Sequence, residues 1–314
     1  MNRSAQEIYA VLRHYQHIVI TAHVSPDGDA IGSVVALYHA LKGLGKDVHM
    51  VIDDTIEDTF FFLPGVDAIE KPEDVVVDAS WLTVILDCTG LSRIGKAAEL
   101  AKGKILNIDH HISNEHFADW EYVLPEQAAT CEILTELFQL WQIPLTQDIV
   151  NPLYMGIATD CGFFKFSNTK GHTLRMAASL IDAGAQPNVI SEHLDAKSLD
   201  TLQALSEVLK HIELFADNKV AGIAYTPEIL QLTGEHTGMY ITYARNIKGV
   251  DVAFTVKYIS DTETRVSLRS KSIDVNAIAG VFGGGGHVRA AGCTIQKPLA
   301  EAKKLVVKEI EKAL

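Results

Sequence analysis

Apolar residues along the chain fall into two alternating kinds of run, short continuous ones and longer ones at helical spacing. Ser4 and Glu7 form a capping-box pattern, and Ile8, Val11, Leu12 and Tyr15 follow on one face, which predicts an amphipathic helix over residues 4–16. Residues 17–22 are a buried-strand run that ends in His23-Val24-Ser25-Pro26-Asp27-Gly28-Asp29, and a helix over 30–44, closed by Gly45, comes next. The strand pattern returns at 47–52, at 81–86 just before Asp87, and at 104–108 just before Asp109-His110-His111. Strands alternating with helices predict an α/β fold, a mostly parallel sheet with helices on both faces.

Further helices are predicted over 126–141, with Ile133, Leu134, Leu137, Phe138 and Trp141 as the apolar face, over 148–158, and over 172–183 before Gly184. Residues 199–215 are regular and polar on one side, and read as a connector. The expected organisation is a larger α/β domain over 1–190, a helical linker over 191–218 and a smaller α/β domain over 219–314. In the last, strands are expected at 220–225, 252–259, 264–270 and 292–295, with helices over 275–282 and from Leu299 onward.

This topology gives the polar residues at strand ends their interest. In parallel sheets ligands gather beyond the carboxyl ends of the strands. His23, Asp27, Asp29, Asp87, Asp109, His110 and His111 all sit at such ends. Each segment alone has a simpler reading: a helix cap or Asx turn for Asp27 and Asp29, a polar surface turn for residues 109–111. Together with Asp160, the set is rich in carboxylate with some imidazole, which suits Mn²⁺, or Mg²⁺ less well, better than zinc. Six ligands with one bridging carboxylate suffice for two ions.

Composition narrows the setting. The chain has 314 residues and a net charge of −13, which argues against coating long nucleic acid. The charge is uneven: residues 1–218 carry 14 basic against 31 acidic side chains, and residues 219–314 carry 13 against 9. An acidic first part suits a metal site and a mildly basic second part a phosphate-binding surface, although ordinary charge scatter also accounts for the difference. Cys88, Cys131, Cys161 and Cys293 are widely spaced, as reduced thiols would be. With no membrane-length apolar run and no signal-peptide pattern at the start, a cytoplasmic location without membrane contact is expected.

In order, these motifs — H-x-x-x-D-x-D, a strand-end Asp, D-H-H and T-D-x-G-x-F — resemble the DHH phosphoesterases. Arg269-Ser270-Lys271, Gly284-Gly285-Gly286-His287 and Ala291-Gly292 resemble the DHHA1 domain that accompanies many of them. The resemblance covers nearly the whole chain, and its compact length is similar to the NrnA-type oligoribonucleases. It implies that His23, Asp27 and Asp87 hold one Mn²⁺, and Asp29, Asp87, His110 and Asp160 a second, with Asp87 bridging; Mg²⁺ or Co²⁺ are the alternatives. It further implies that His111 contacts the scissile phosphate or protonates the leaving group, and that Asp109 orients an imidazole. Cys161 departs from the pattern, where Thr or Ser is more usual.

For the second domain the resemblance implies substrate binding by Arg269, Ser270, Lys271, Gly284, Gly285, Gly286 and His287. Glycines let backbone N–H groups approach a phosphate, and Arg269 and His287 add charge-assisted hydrogen bonds; a flexible turn is the rival reading of the glycine run. Arg245, Lys271 and Arg289 are either auxiliaries or solvated charges, and Phe163 and Phe166 either stack on a base or pack in the core. The expected substrates are short oligonucleotides, linear dinucleotides such as pApA, and 3′-phosphoadenosine 5′-phosphate (pAp), not long duplexes, with the second domain gripping the far end of a short substrate. A homodimer is a family expectation. Manganese pyrophosphatase, RecJ-like exonuclease and a catalytically silent nucleotide-binding module are the alternatives.

Overall fold

The computed structural model describes residues 2–234 and 237–314. The chain divides into two compact units, Met1–Ala196 and Lys197–Leu314.

In the first unit, strands β1 (His17–Thr21), β2 (Asp47–Val51), β3 (Ile69–Glu70), β4 (Leu82–Leu86), β5 (Lys104–Asp109) and β6 (Trp120–Val123) lie in the order β3-β2-β1-β4-β5-β6. All neighbouring pairs are parallel. The chain fills the sheet from β1 outward in one direction, then returns to β1's other side with β4. That reversal opens a crevice beyond the carboxyl ends of β1 and β4. Residues on successive strand positions face opposite ways: Ile18 and Ile20 join the core beneath the helices, whereas Val19, Val51 and Ile85 join a second core. The helical face is covered by α1 (Ala5–His14), α2 (Gly28–Gly43), α3 (Thr130–Leu140), α4 (Gln147–Asp160), α5 (Gly171–Asp182) and α6 (Pro187–Asp195). The other face is closed by loops and 3-10 turns that contribute Val75, Val77, Ile94, Ala97 and Leu100.

The capping box at α1 forms: Ser4 Oγ accepts from Glu7 N at 3.3 Å, and Glu7 Oε2 from Ser4 N at 2.8 Å. Helices α2 and α4 press together through glycine. A Cβ on Gly32 would stand 2.4 Å from Pro152 O, and one on Gly156 only 2.3 Å from Cys131 Sγ and 2.8 Å from Asp29 Oδ1. This close approach sets the carboxyl end of α4, with Asp160, beside the amino end of α2, with Asp29.

The second unit comprises α7 (Leu199–Lys210), β7 (Ile212–Phe215), β8 (Val220–Tyr225), α8 (Pro227–Thr233), α9 (Ile241–Asn246), β9 (Val252–Ser260), β10 (Glu263–Ser270), α10 (Val275–Val281), β11 (Gly285–His287), β12 (Ala290–Ile295) and α11 (Leu299–Glu311). Its sheet runs β11-β12-β10-β9-β8-β7, with β8 and β9 parallel and the other pairs antiparallel. One face packs on α10 and α11 through Val266, Leu268 and Phe254, the other on α7 and α9 through Ala221, Ile223 and Ala253.

The stretch 191–218, expected as a helical linker, is divided between the units. Its helix stops at Lys210, and residues 212–215 pair with β8 instead of continuing the helix. Val208 of α7 packs with Ala221 and Tyr225, so this segment belongs to the second unit's core. The helix expected from residue 126 starts at Thr130, because residues 125–128 turn and bend and Ala129 is extended. No described helix is long and apolar enough to cross a membrane.

Gly156→Val would force side-chain volume into the α2–α4 contact, and overpacking of this kind costs about 1–3 kcal/mol. The expected result is a lower midpoint in chemical denaturation; an unchanged midpoint would mean that the two helices do not meet as described.

Candidate metal centre

The candidate ligands converge at the crevice. His23 follows β1, Asp87 follows β4 and His110 follows β5, while Asp27 and Asp29 start α2 and Asp160 ends α4. Among the described residues, three groups have donor atoms within 4.8 Å of one another: His23, Asp27 and Asp87; Asp29, His110 and Asp160; and Asp87, His110 and His111. Asp87 is common to the first and third. Its Oδ2 is 3.6 Å from His23 Nε2 and its Oδ1 3.4 Å from His110 Nε2. His110 Nε2 is also 3.5 Å from Asp160 Oδ2 and 3.9 Å from Asp29 Oδ2.

Backbone and neighbours hold these groups in place. Asp87 adopts φ +51°, a left-handed conformation disfavoured for a side chain with Cβ and characteristic of strained sites. Asp27 Oδ1 caps α2 by accepting from the N–H groups of Asp29 and Ala30, both at 3.0 Å, so capping and proximity to His23 coexist in one residue. Asp29 accepts from Thr130 N at 2.6 Å and Cys131 N at 2.8 Å, which seats it on the amino end of α3. Thr130 Oγ donates to Asp87 Oδ1 at 3.0 Å.

Asp109 is fully buried and belongs to none of the ligand groups, but it holds the two histidines that follow it. Its Oδ1 accepts from His111 Nδ1 at 2.7 Å and from His110 N at 2.9 Å, and its Oδ2 from Asn114 Nδ2 at 2.7 Å. A carboxylate only accepts, so His111 carries a proton on Nδ1, and this bond raises its pKa against the effect of burial. Asn114 is in turn bonded to Asn107, whose amide donates to Ile85 O at 3.0 Å. Sequence reasoning missed Asn107, Asn114 and Thr130. The available signal was Asn107, a polar residue inside the apolar run of β5.

The electrostatics describe a site short of positive charge. Burial opposes charge on His110, but its hydrogen bond with Asp87 and the fields of Asp29, Asp87 and Asp160 prevail and push it up to about 10. His23 rises to about 9 in the same way, against burial and through Asp87. Burial would raise Asp87 too, yet the hydrogen bonds from His110 and His23 hold it well below the usual carboxylate range. Asp29 is pushed well above that range by burial and by Asp87 and Asp160. Burial with Asp87's charge outweighs the pull of His110 and raises Asp160 to about 7. Buried carboxylates this close favour a shared cation over mutual repulsion. The donors, oxygen-rich with two imidazoles, fit hard divalent ions.

Neighbouring side chains are more ordinary. Cys161 is fully buried and burial raises its thiol to about 11, so it stays protonated and inert. Phe163 packs against the first unit's core, whereas Phe166 is exposed.

In the second unit, Arg269 and His287 share a row. Both pair with Ala290 across the ladder, so their side chains leave the same face of the sheet. Ser270 does not join them. Strand alternation turns it to the core, where it is buried and its hydroxyl donates to Ile273 O. Lys271 is exposed, with Nζ 3.4 Å from Ile247 O. The glycine run is less a loop than expected, since Gly285, Gly286 and His287 form β11. A Cβ on Gly284 would stand 2.2 Å from Gly292 O, and Gly286 has φ +149°. Gly285 has no such demand: its nearest neighbour would be Asn276 Oδ1 at 3.6 Å.

Residues 17–157 match the DHH family, N-terminal domain, and residues 223–314 match the DHHA1 domain. The chain is 32% identical over 283 residues to the bifunctional oligoribonuclease and PAP phosphatase NrnA of Thermus thermophilus, covering 89% of this chain and 84% of that one. It is 29% identical to the protein of that name in Mycoplasma genitalium, over 98% of each. A crystal structure of an exopolyphosphatase-related protein from Bacteroides fragilis matches with a TM-score of 0.88 at 26% identity, over 98% of this chain and 95% of that one. Fold, site and matches define the class of protein: a phosphoesterase, and therefore a hydrolase. The chain belongs to the DHH/DHHA1 family, among relatives of the NrnA type.

Titration of chelator-treated protein with Mn²⁺ is expected to show more than one ion bound per chain, and Asp87→Asn to lose tight binding at both positions. Retention of full stoichiometry by that variant would remove Asp87 from the centre.

Proposed function

We propose that the protein is a cytoplasmic Mn²⁺-dependent phosphoesterase that hydrolyses short oligoribonucleotides and linear dinucleotides of the pApA type to mononucleotides, and pAp to AMP and phosphate. The observation that carries this reading is Asp87, whose two carboxylate oxygens address different imidazoles, one in each ligand group. In this reading His23, Asp27 and Asp87 hold one ion, and Asp29, Asp87, His110 and Asp160 the other. Bound there, the ions would lower the pKa of water and offset charge on the phosphoryl group. His111, held through Nδ1 by Asp109 in a bond that raises its pKa against burial, presents Nε2 to the substrate and, as the imidazolium, gives the Nε2 proton to the leaving oxygen, ending as the neutral Nδ1–H ring. Catalysis falls to the first unit and nucleotide recognition to the second, where Arg269 and His287 contact phosphate and the open approach at Gly285 admits it. The names of the Thermus and Mycoplasma relatives support the substrate class.

Incubation with Mn²⁺ and an equimolar mixture of pApA, pAp, pyrophosphate and long single-stranded DNA is expected to consume pApA and pAp first. Loss of pyrophosphate alone, or of the long strand first, would contradict this reading. His111→Asn is expected to lower kcat about 10²–10⁴-fold while metal stoichiometry stays at the wild-type level. Loss of a bound ion would instead make His111 a ligand.

A further inference from the structure

The sheet of the second unit has one closed face and one that is open over β10, β12 and β11. Along β10, Thr264, Val266, Leu268 and Ser270 are buried, whereas Arg265 is exposed and Ser267 and Arg269 are half-buried. Along β12, Ala291, Cys293 and Ile295 are buried, while Ala290 and Gly292 are half-buried and Thr294 is exposed. The register places Arg269, Ala290 and His287 in one row, Ser267, Gly292 and Gly285 in the next, and Arg265 with Thr294 in a third. The floor between the outer rows is therefore built of Ser and Gly, with a cation at either end.

Among the described residues, Arg265 meets no acidic partner across the ladder. Its cross-strand neighbours are Lys257 on β9 and Thr294 on β12, neither of which neutralises it. Glu263 lies beyond a register shift in the ladder, and Asp261 accepts from Tyr258 Oη at 3.0 Å. Among the described residues, no carboxylate forms an ion pair with Arg265 or Arg269. Burial and Arg245 together lower the pKa of Arg269, as expected where guanidinium groups gather without an acid.

Arg265 and Arg269 are four positions apart on an antiparallel strand, a Cα span of about 14 Å. That is further than the separation of the two phosphates of one nucleoside bisphosphate, which share a single ribose. An extended single strand several nucleotides long reaches across it. We infer that Arg265 is a second phosphate contact, used by oligoribonucleotides of three or more residues and outside the reach of a mononucleotide held at Arg269 and His287. The inference rests on the substrate class proposed above and extends it: the same face that holds one nucleotide also tracks the strand leading away from it. Ser267 and the glycine floor let the backbone lie close to the sheet between the two cations.

The test compares wild type, Arg265→Ala and Arg265→Lys, with thermal melting to confirm that each is folded. Binding of a labelled tri-adenylate is followed by fluorescence anisotropy in chelator, over a range of salt, with pAp as competitor. For Arg265→Ala the expected result is affinity for tri-adenylate about fivefold weaker, as for an exposed ion pair. The slope of log K against log salt should flatten by about 0.7, the value for one phosphate of a single strand. The ratio of tri-adenylate to pAp affinity should fall with it, and Arg265→Lys should restore most of the slope. An Arg265→Ala variant with wild-type affinity and slope, or one that weakens both ligands equally, would overturn the inference. If wild type binds tri-adenylate through Arg265 but does not cleave it when Mn²⁺ is supplied in place of chelator, the proposed activity fails and the contact stands. If wild type cleaves it and the variant binds identically, the contact alone falls.

Discussion

The structure of the first unit turns on the crowding of carboxylates around Asp87. Asp29 and Asp87 are almost fully buried, Asp160 lies beside them, and the imidazoles of His23 and His110 fill the gaps. Without positive charge such a set is costly, as the raised Asp29 and Asp160 show. The fold nevertheless assembles it, through a left-handed residue at Asp87, a glycine contact between α2 and α4, and the amino end of α3 aimed at Asp29. A chain that keeps carboxylates together in this way is built around cations.

The sheet order explains why these residues meet although they span positions 23 to 160. Because β1 and β4 are neighbours at the point where the strand order reverses, the loops after them diverge and leave a crevice. β5 adds His110 from the next position, and α2 and α4 bring carboxylates from the helical layer. The second unit uses sheet geometry differently. There an antiparallel ladder lines up Arg269 with His287, and its uncovered face supplies a shallow surface instead of a cleft.

Much of this was legible in the sequence because the site residues directly follow apolar runs. His23, Asp87 and His110 each end a strand whose hydrophobic character is plain, so topology alone gathers them. Less legible were features that depend on contacts distant in sequence. Asn107 and Asn114 matter through Asp109, and Thr130 through Asp29 and Asp87, which no local pattern reveals. The segment 199–215 reads as helix throughout, yet tertiary pairing with β8 draws residues 212–215 into a strand. Ser270 stands next to Arg269 in sequence but on the opposite face, and the row that joins Arg269 to His287 follows only once the register is known. The glycine run also has a mixed origin: Gly284 and Gly286 answer to packing and backbone, while Gly285 is left open to solvent.

We propose that Asp87 bridges two ions in one centre. Low-temperature electron paramagnetic resonance of the protein loaded to full Mn²⁺ occupancy tests it most directly. An exchange-coupled spectrum in wild type, replaced in Asp87→Asn by weak signals of isolated Mn²⁺, is the expected result. A fully loaded wild-type protein that shows only magnetically isolated ions would contradict the account.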